Sequence, residues 1–155
     1  MIIYLAGAID RAKDDPALWT KELVKELFTA RDLLTTPEPL IIYSPYLAFP
    51  SNLGPGMESL DEYHAGRLLH MNMVAVTNSD LVMLYYQPGM ETWGTPMEAF
   101  RAKESEIPIL VWTAGHYGSK LPSYLTACAG GIIHVGMKAA AEAVFNVPRL
   151  RPDNG

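Results

Sequence analysis

A carboxylate that follows a glycine and a threonine is the residue of this chain best placed to carry out chemistry. The segment Gly94-Thr95-Pro96-Met97-Glu98 comes shortly after an apolar run that ends in Tyr85 and Tyr86. If that run is a buried strand and the segment opens a helix, Glu98 faces the crevice at the carboxyl ends of the strands, where open α/β folds bind small ligands. The helix N-terminus would favour the ionised carboxylate. We therefore predict that Glu98 is a nucleophile.

A phenol near the start of the chain is the expected partner of this carboxylate. Tyr4 lies in the apolar run of residues 2–6, and it can donate a hydrogen bond to Glu98 if the first and third strands are neighbours. A carboxylate oriented in this way can attack the anomeric carbon of a sugar as a nucleobase departs. The covalently held sugar then passes to a second base or to water. Cleavage of an N-glycosidic bond by this route needs neither a metal nor an organic cofactor.

The same residues also fit a purely structural role. Thr95 and Glu98 have the spacing of a capping box, and Pro96 would occupy the first helical position. A capping box satisfies the N–H groups at the start of a helix without any chemistry. Both interpretations stay open when the segment is considered alone.

Segments typical of strands and of helices alternate along the chain. Short apolar runs predict strands, and apolar residues spaced three and four apart predict helices. The predicted strands are residues 2–6, 40–43, 81–84, 107–112 and 131–135, and the predicted helices are residues 16–34, 59–78, 96–103, 121–129 and 137–145. This alternation favours an α/β fold with a parallel sheet of about five strands flanked by helices. We expect one domain over residues 1–147 and a tail over residues 148–155.

The composition argues against several classes of function. The chain has 155 residues, and its 12 Lys and Arg against 17 Asp and Glu give a formal net charge of -5, so we expect no binding to a nucleic-acid polymer. No apolar run reaches the roughly 18 residues of a membrane span, and the first residues do not resemble a signal peptide. We therefore expect a cytoplasmic protein. The single cysteine and the four histidines lack the spacing of metal ligands, so we predict no metal site.

The loop after the first strand supplies candidate groups for holding a substrate. Arg11 is the best candidate for binding a 5'-phosphate, together with the backbone N–H groups of Gly7 and Ala8. Asp10 can hydrogen-bond a sugar hydroxyl. Arg11 and Asp10 also fit an ordinary solvated surface.

Taken in order, several of these pieces resemble the nucleoside 2-deoxyribosyltransferase superfamily, which includes deoxynucleoside monophosphate N-glycosidases and phage relatives. The resemblance spans residues 1–113 and rests on Ile3-Tyr4-Leu5-Ala6-Gly7, on Asn72 with Asp80 and the strand after it, and on Gly94-Thr95 with Glu98 and Ala102. It implies a Rossmann-like sheet of the flavodoxin type, a covalent glycosyl-glutamate at Glu98 and an orienting tyrosine at Tyr4. It also implies a homo-oligomer whose sites are completed by the C-terminal residues of a neighbour.

Two positions depart from the family pattern. Many family transferases have an aspartate that contacts the sugar two residues before the glycine that matches Gly94, where this chain has Thr92. Several have an aspartate eight residues before the position of Asp80, where this chain has Asn72. An amide can hydrogen-bond a base edge or a sugar hydroxyl, but it cannot donate a proton as a carboxyl group does. Asp80 also fits an ordinary turn residue before a strand.

We therefore expect an N-glycosyltransferase or N-glycosidase that acts on a 2'-deoxynucleoside or its 5'-monophosphate and passes deoxyribose through Glu98 to another base or to water. One alternative is a purely hydrolytic deoxynucleoside 5'-monophosphate N-glycosidase, and another is a catalytically silent nucleotide-binding module. The expected substrate contacts are Gly7, Ala8, Asp10, Arg11, Asn72, Asp80, Thr92, Gly94 and Thr95. Residues 125–135 and 137–145 hold more apolar surface than one sheet needs to cover, which also favours a homo-oligomer.

Overall fold

Strands and helices alternate through the six stretches that the structure, a computed structural model, describes: residues 1–7, 16–45, 62–87, 94–115, 122–130 and 132–147. The strands are β1 (Ile2–Ala6), β2 (Ile41–Tyr43), β3 (Leu81–Tyr85), β4 (Ile109–Thr113) and β5 (Ile133–Val135). The helices are α1 (Pro16–Asp32), α2 (Glu62–Thr77), α3 (Gly94–Glu104), α4 (Ser123–Ala129) and α5 (Met137–Val144). This order of elements confirms the predicted one, and the bounds differ by only a few residues, which is usual at the ends of elements.

The five strands form one parallel sheet with the order β2-β1-β3-β4-β5. This is the flavodoxin-type order of doubly wound folds, and it confirms the predicted fold class. The winding direction reverses between β1 and β3, which are neighbours in space although β2 separates them in sequence. Doubly wound folds bind their ligands in the crevice above the carboxyl ends of the strands at such a reversal.

Helices cover both faces of the sheet, because the central strands are apolar on both sides. Ile3 and Leu5 of β1 point to the face covered by α1 and α5, where Leu23 and Val144 complete a first core cluster. Tyr4 and Ala6 point to the opposite face, which α2, α3 and α4 cover. That second cluster includes the residues Val76, Val82, Leu84, Ala99, Ala102, Val111 and Leu125. Alternation along β1 therefore puts the Tyr4 side chain on the same face of the sheet as helix α3.

Candidate active site at the carboxyl edge of the sheet

Tyr4 and Glu98 form a buried hydrogen-bonded pair. The Tyr4 hydroxyl donates to Glu98 Oε1 over 2.5 Å, and the two residues are 0% and 6% exposed. Burial, and then the neighbouring Glu98 carboxylate, raise the pKa of Tyr4 well above its ordinary value. The phenol therefore keeps its proton and acts as the donor. A short O–H···O contact of this kind is typical of a charge-assisted hydrogen bond to a carboxylate.

The sheet order brings this pair together. Tyr4 lies beside Val82 in the register of β1 and β3, and α3 follows β3 in the chain and packs on the same face. The adjacency of the first and third strands, on which the expected hydrogen bond depended, is therefore present. Glu98 is in the second turn of α3, near the helix N-terminus, where backbone N–H groups favour a negative charge.

The start of helix α3 is the segment to which the capping-box interpretation applies. The helix begins at Gly94 and includes Thr95 as its second residue and Glu98 as its fifth, and because helix ends vary by a residue or two, the capping box stays a prediction. Pro96 is accommodated in the first turn because the first four N–H groups of a helix have no intrahelical acceptor. Thr95 is buried and Gly94 is exposed, both at the start of α3.

A second phenol, which the sequence reasoning did not single out, lies beside the first. Tyr43 ends β2 and pairs in register with Tyr4, and the two rings stack with centroids 5.5 Å apart and planes 18° apart. Burial, and then the Glu98 carboxylate, raise the pKa of Tyr43. The sequence did contain a signal for this residue. Tyr43 lies at the carboxyl end of a predicted strand, and the predicted crevice lies at the carboxyl ends of the strands.

Several buried polar atoms near this edge have no hydrogen-bond partner among the described residues. They are Trp19 Nε1, Tyr43 Oη, Ser44 Oγ, Asn72 Oδ1 and Trp112 Nε1. Buried polar groups in native proteins are nearly always paired, and the exceptions are often found where a ligand or water binds. Tyr43 packs in the cluster of Tyr4, whereas Trp19 and Trp112 pack in the cluster on the opposite face of the sheet, so only part of this group lies on the side that holds Glu98.

Asn72 belongs to this group through helix α2. It lies one turn before Val76, which packs in the same core cluster as Tyr4. Because α2 leads to the amino end of β3 at Leu81, Asn72 is closer to the carboxyl edge than Val76 is. The helical spacing of four residues gives both side chains the same face. The structure thus brings Asn72 to the half of the fold that holds Glu98.

Asp80 lies at the opposite edge of the sheet. Its Oδ2 accepts a hydrogen bond from the Ile2 backbone N–H over 2.7 Å, and its own N–H donates to the Ile2 carbonyl over 2.8 Å. Strands rise by about 3.3 Å per residue, so the amino end of β3 is roughly 13 Å from its carboxyl end. The expectation that Asp80 contacts the substrate is not supported. Its alternative interpretation, a turn residue before a strand, describes these contacts.

Gly7 lies at the carboxyl end of β1, where the backbone passes close to two aromatic residues. A Cβ atom at Gly7 would come within 2.8 Å of Trp19 Cζ2 and 3.1 Å of Tyr85 Cβ. Tyr85 in turn stacks on Trp112 with ring centroids 4.3 Å apart. This close packing accounts for a glycine here, and the expected role of its N–H group in binding a ligand stays a prediction.

Four of the predicted contact residues, Ala8, Asp10, Arg11 and Thr92, lie outside the described residues, as does the predicted tail over residues 148–155. Within the described stretches, no group of three or more His, Cys, Asp and Glu side chains is placed to hold a metal ion. None of the helices in those stretches is long and apolar enough to cross a membrane.

Comparisons with known proteins bear on this geometry. No protein-family model and no curated protein sequence matches the chain. The chain is similar to a solved structure of a 2-deoxyribosyltransferase from the psychrotolerant bacterium Bacillus psychrosaccharolyticus, with a TM-score of 0.59 and 12% sequence identity. The similarity covers 83% of this chain and 82% of that one. The chain has the fold of a 2-deoxyribosyltransferase.

A second solved structure, a conserved protein from Enterococcus faecalis V583, is similar with a TM-score of 0.51 and 16% identity. The similarity covers 79% of this chain and 67% of that one. At these identities both similarities extend to the fold. They confirm, at that level, the resemblance expected from the sequence.

Proposed function

We propose that the protein is a nucleoside 2-deoxyribosyltransferase-like enzyme that cleaves the N-glycosidic bond of a 2'-deoxynucleoside or its 5'-monophosphate. The single observation that carries this proposal is the buried hydrogen bond between Tyr4 and Glu98 at the carboxyl edge of the sheet, in a chain that has this fold. A buried carboxylate held by a protonated phenol is suited to attack an electrophilic carbon. The expected partner is a small-molecule nucleoside or nucleotide.

In the first half of the reaction, a Glu98 oxygen bonds to the anomeric carbon as the bond from that carbon to the base nitrogen breaks. The electron pair of the broken bond leaves with the base, which takes up a proton. In the second half, a second base or water attacks the same carbon and the Glu98 carboxylate is released. Tyr4 donates to the carboxylate before attack and again as it departs, so the phenol orients the nucleophile and stabilises the leaving group.

Asn72 is the candidate for contact with the base or the sugar from the helical side, since its buried Oδ1 has no partner among the described residues. Gly94 and Thr95 lie at the helix start beside Glu98. Arg11, Ala8, Asp10 and Thr92 stay proposals from the sequence. An amide at Asn72 cannot supply a proton of carboxyl strength, so we expect the departing base to be protonated by water or by a group outside the described residues.

In the test, the protein is incubated with a panel of 2'-deoxynucleosides and their 5'-monophosphates, with and without a second free base. The products are followed by chromatography. Exchange of the base indicates a transferase, and release of free base alone indicates the hydrolytic monophosphate N-glycosidase. Ligand binding with no release of base identifies a catalytically silent module and contradicts the proposal.

Glu98→Gln is expected to abolish turnover and to leave the fold intact, because the change removes the nucleophilic charge and keeps the volume. The matched control is Glu104→Gln on the same helix, where the carboxylate lies at the surface in an ion pair with Arg101. A 2-fluorinated deoxynucleoside analogue should leave a glycosyl adduct on Glu98 that peptide mass analysis locates. A folded Glu98→Gln protein with substantial activity would remove Glu98 from the mechanism.

A further inference from the structure

The stacking of Tyr43 on Tyr4 does not account for the hydroxyl group of Tyr43. A phenylalanine would stack on Tyr4 with the same ring separation of 5.5 Å. The Tyr43 oxygen is buried and has no hydrogen-bond partner among the described residues. A buried donor without an acceptor destabilises the folded state, because it has lost its hydrogen bonds to water. Such a group is expected to gain its acceptor from a ligand.

The position of this hydroxyl relative to the nucleophile follows from the sheet. Tyr43 and Tyr4 are paired in register on neighbouring parallel strands, so both side chains point to the face that holds Glu98. Tyr43 stacks on Tyr4, whose hydroxyl bonds Glu98, so the Tyr43 ring lies next to the pair; the Glu98 carboxylate also raises the pKa of both phenols.

We infer that the Tyr43 hydroxyl donates a hydrogen bond to a hydroxyl group of the sugar whose anomeric carbon Glu98 attacks. This assignment rests on the proposed function. Tyr43 approaches from the side of the nucleophile, whereas the base leaves from the opposite side of the anomeric carbon. The acceptor is therefore on the sugar and not on the base. Tyr43 is a substrate-binding residue in this assignment, and Tyr4 remains the residue that orients Glu98.

The test compares Tyr43→Phe with the wild type on a 2'-deoxynucleoside and on two analogues, one without the 3'-hydroxyl and one without the 5'-hydroxyl. We expect kcat/KM on the parent substrate to fall about fivefold in the variant, the typical effect of one lost hydrogen bond between neutral groups. The loss should disappear with the analogue that lacks the bonded hydroxyl and persist with the other, which identifies the acceptor. The matched control is Tyr124→Phe, since burial also raises the pKa of Tyr124 but Glu98 is not among the groups that affect it.

Thermal unfolding gives a second measurement. Tyr43→Phe should keep or raise the Tm of the free protein, because it removes an unpaired buried polar atom. A clear fall in Tm indicates a structural partner for the hydroxyl and overturns the assignment. The assignment is also overturned if the wild type is active and Tyr43→Phe leaves kcat/KM unchanged, or lowers it equally on all three substrates. A wild type that cleaves none of them, nor the matching 5'-monophosphates, contradicts the proposed function itself, and the Tyr43 assignment with it.

Discussion

Replacing Tyr4 by phenylalanine removes a single oxygen, the donor of the 2.5 Å hydrogen bond to Glu98 Oε1. The ring remains to fill the core and to stack on Tyr43. The variant therefore isolates the hydroxyl from the packing of the side chain. If the pair has the proposed role, the change acts both on the free carboxylate and on the step in which that carboxylate is released.

The magnitude follows from the kind of hydrogen bond. A hydrogen bond to a charged group contributes about 1.5–3 kcal/mol. Release of the Glu98 carboxylate from the sugar, which the Tyr4 donor assists, should therefore slow by about 10- to 150-fold, since ~1.36 kcal/mol corresponds to a factor of ten. Because formation of the adduct creates no carboxylate, we expect the glycosyl-enzyme to accumulate in the variant.

The pH dependence of kcat/KM should also change in Tyr4→Phe, in a direction that can be worked out. A hydrogen bond to the ionised form of a carboxyl group favours that form. Without it, the carboxylate takes up a proton at a higher pH, so the acid limb of the profile of kcat/KM against pH moves upward. The same 1.5–3 kcal/mol corresponds to a movement of about one to two pH units.

The assay is a set of pH–rate profiles for the wild type, Tyr4→Phe and the control Tyr124→Phe, together with mass spectrometry of the quenched enzyme in the steady state. Tm values measured on the same samples show whether each variant is folded. If Tyr4→Phe changes only the Tm and leaves the rate and the acid limb where they are in the wild type, Tyr4 is a packing residue and the reasoning is refuted.

The remaining predictions concern stability and assembly. Burial and Glu98 raise the pKa of Tyr4 in the folded state. The contribution of Tyr4 to the free energy of unfolding is therefore fully present below the unfolded pKa of about 10. Above that pH the free energy of unfolding falls, with a slope from Tyr4 that approaches ~1.4 kcal/mol per pH unit. Denaturant titrations should show a shallower alkaline fall for Tyr4→Phe, and equal slopes would contradict the burial argument. We also expect a homo-oligomer in sedimentation. Phe100→Glu on α3 should reduce the oligomer, and the control Leu33→Glu, in the turn after α1, should not, although the two side chains are 70% and 79% exposed. A wild type that is monomeric at micromolar concentration would rule the oligomer out.

The segments near the C-terminus that the sequence indicated as excess apolar surface are only partly exposed. Leu125, Ala140 and Val144, from the apolar segments near the C-terminus, are buried within the single chain, because α4 and α5 pack on opposite faces of the sheet. Exposed apolar side chains lie on α2 and α3, where Val74 is 45% and Phe100 is 70% exposed, and also in the predicted segment 125–135, where Ile132 is 65% and Val135 is 43% exposed. Hydrophobicity along a chain does not say which helix the fold covers. The oligomer itself stays a prediction.

The position of Asp80 at the amino edge of the sheet could have been inferred from the sequence. A residue that immediately precedes a strand lies at the amino edge of a parallel sheet, and a residue that follows one lies at the carboxyl edge. Asp80 precedes β3 and bonds Ile2 at the amino edge, whereas Glu98 belongs to the helix after β3. The order of elements along the chain is therefore enough to place the carboxylates of Asp80 and Glu98 at opposite edges of the sheet.

The sequence by itself determined the elements and the α/β class, because apolar runs and helical periodicity are local properties that the chain carries wherever it is placed. It also determined that Glu98 follows the strand which ends in Tyr85, and so lies at the carboxyl edge of the sheet. Only the tertiary structure decided that β1 is between β2 and β3, because the pairing of parallel strands depends on crossovers that no local pattern encodes. That order joins Tyr4 to Glu98 and puts Tyr43, from a strand more than thirty residues away, beside them.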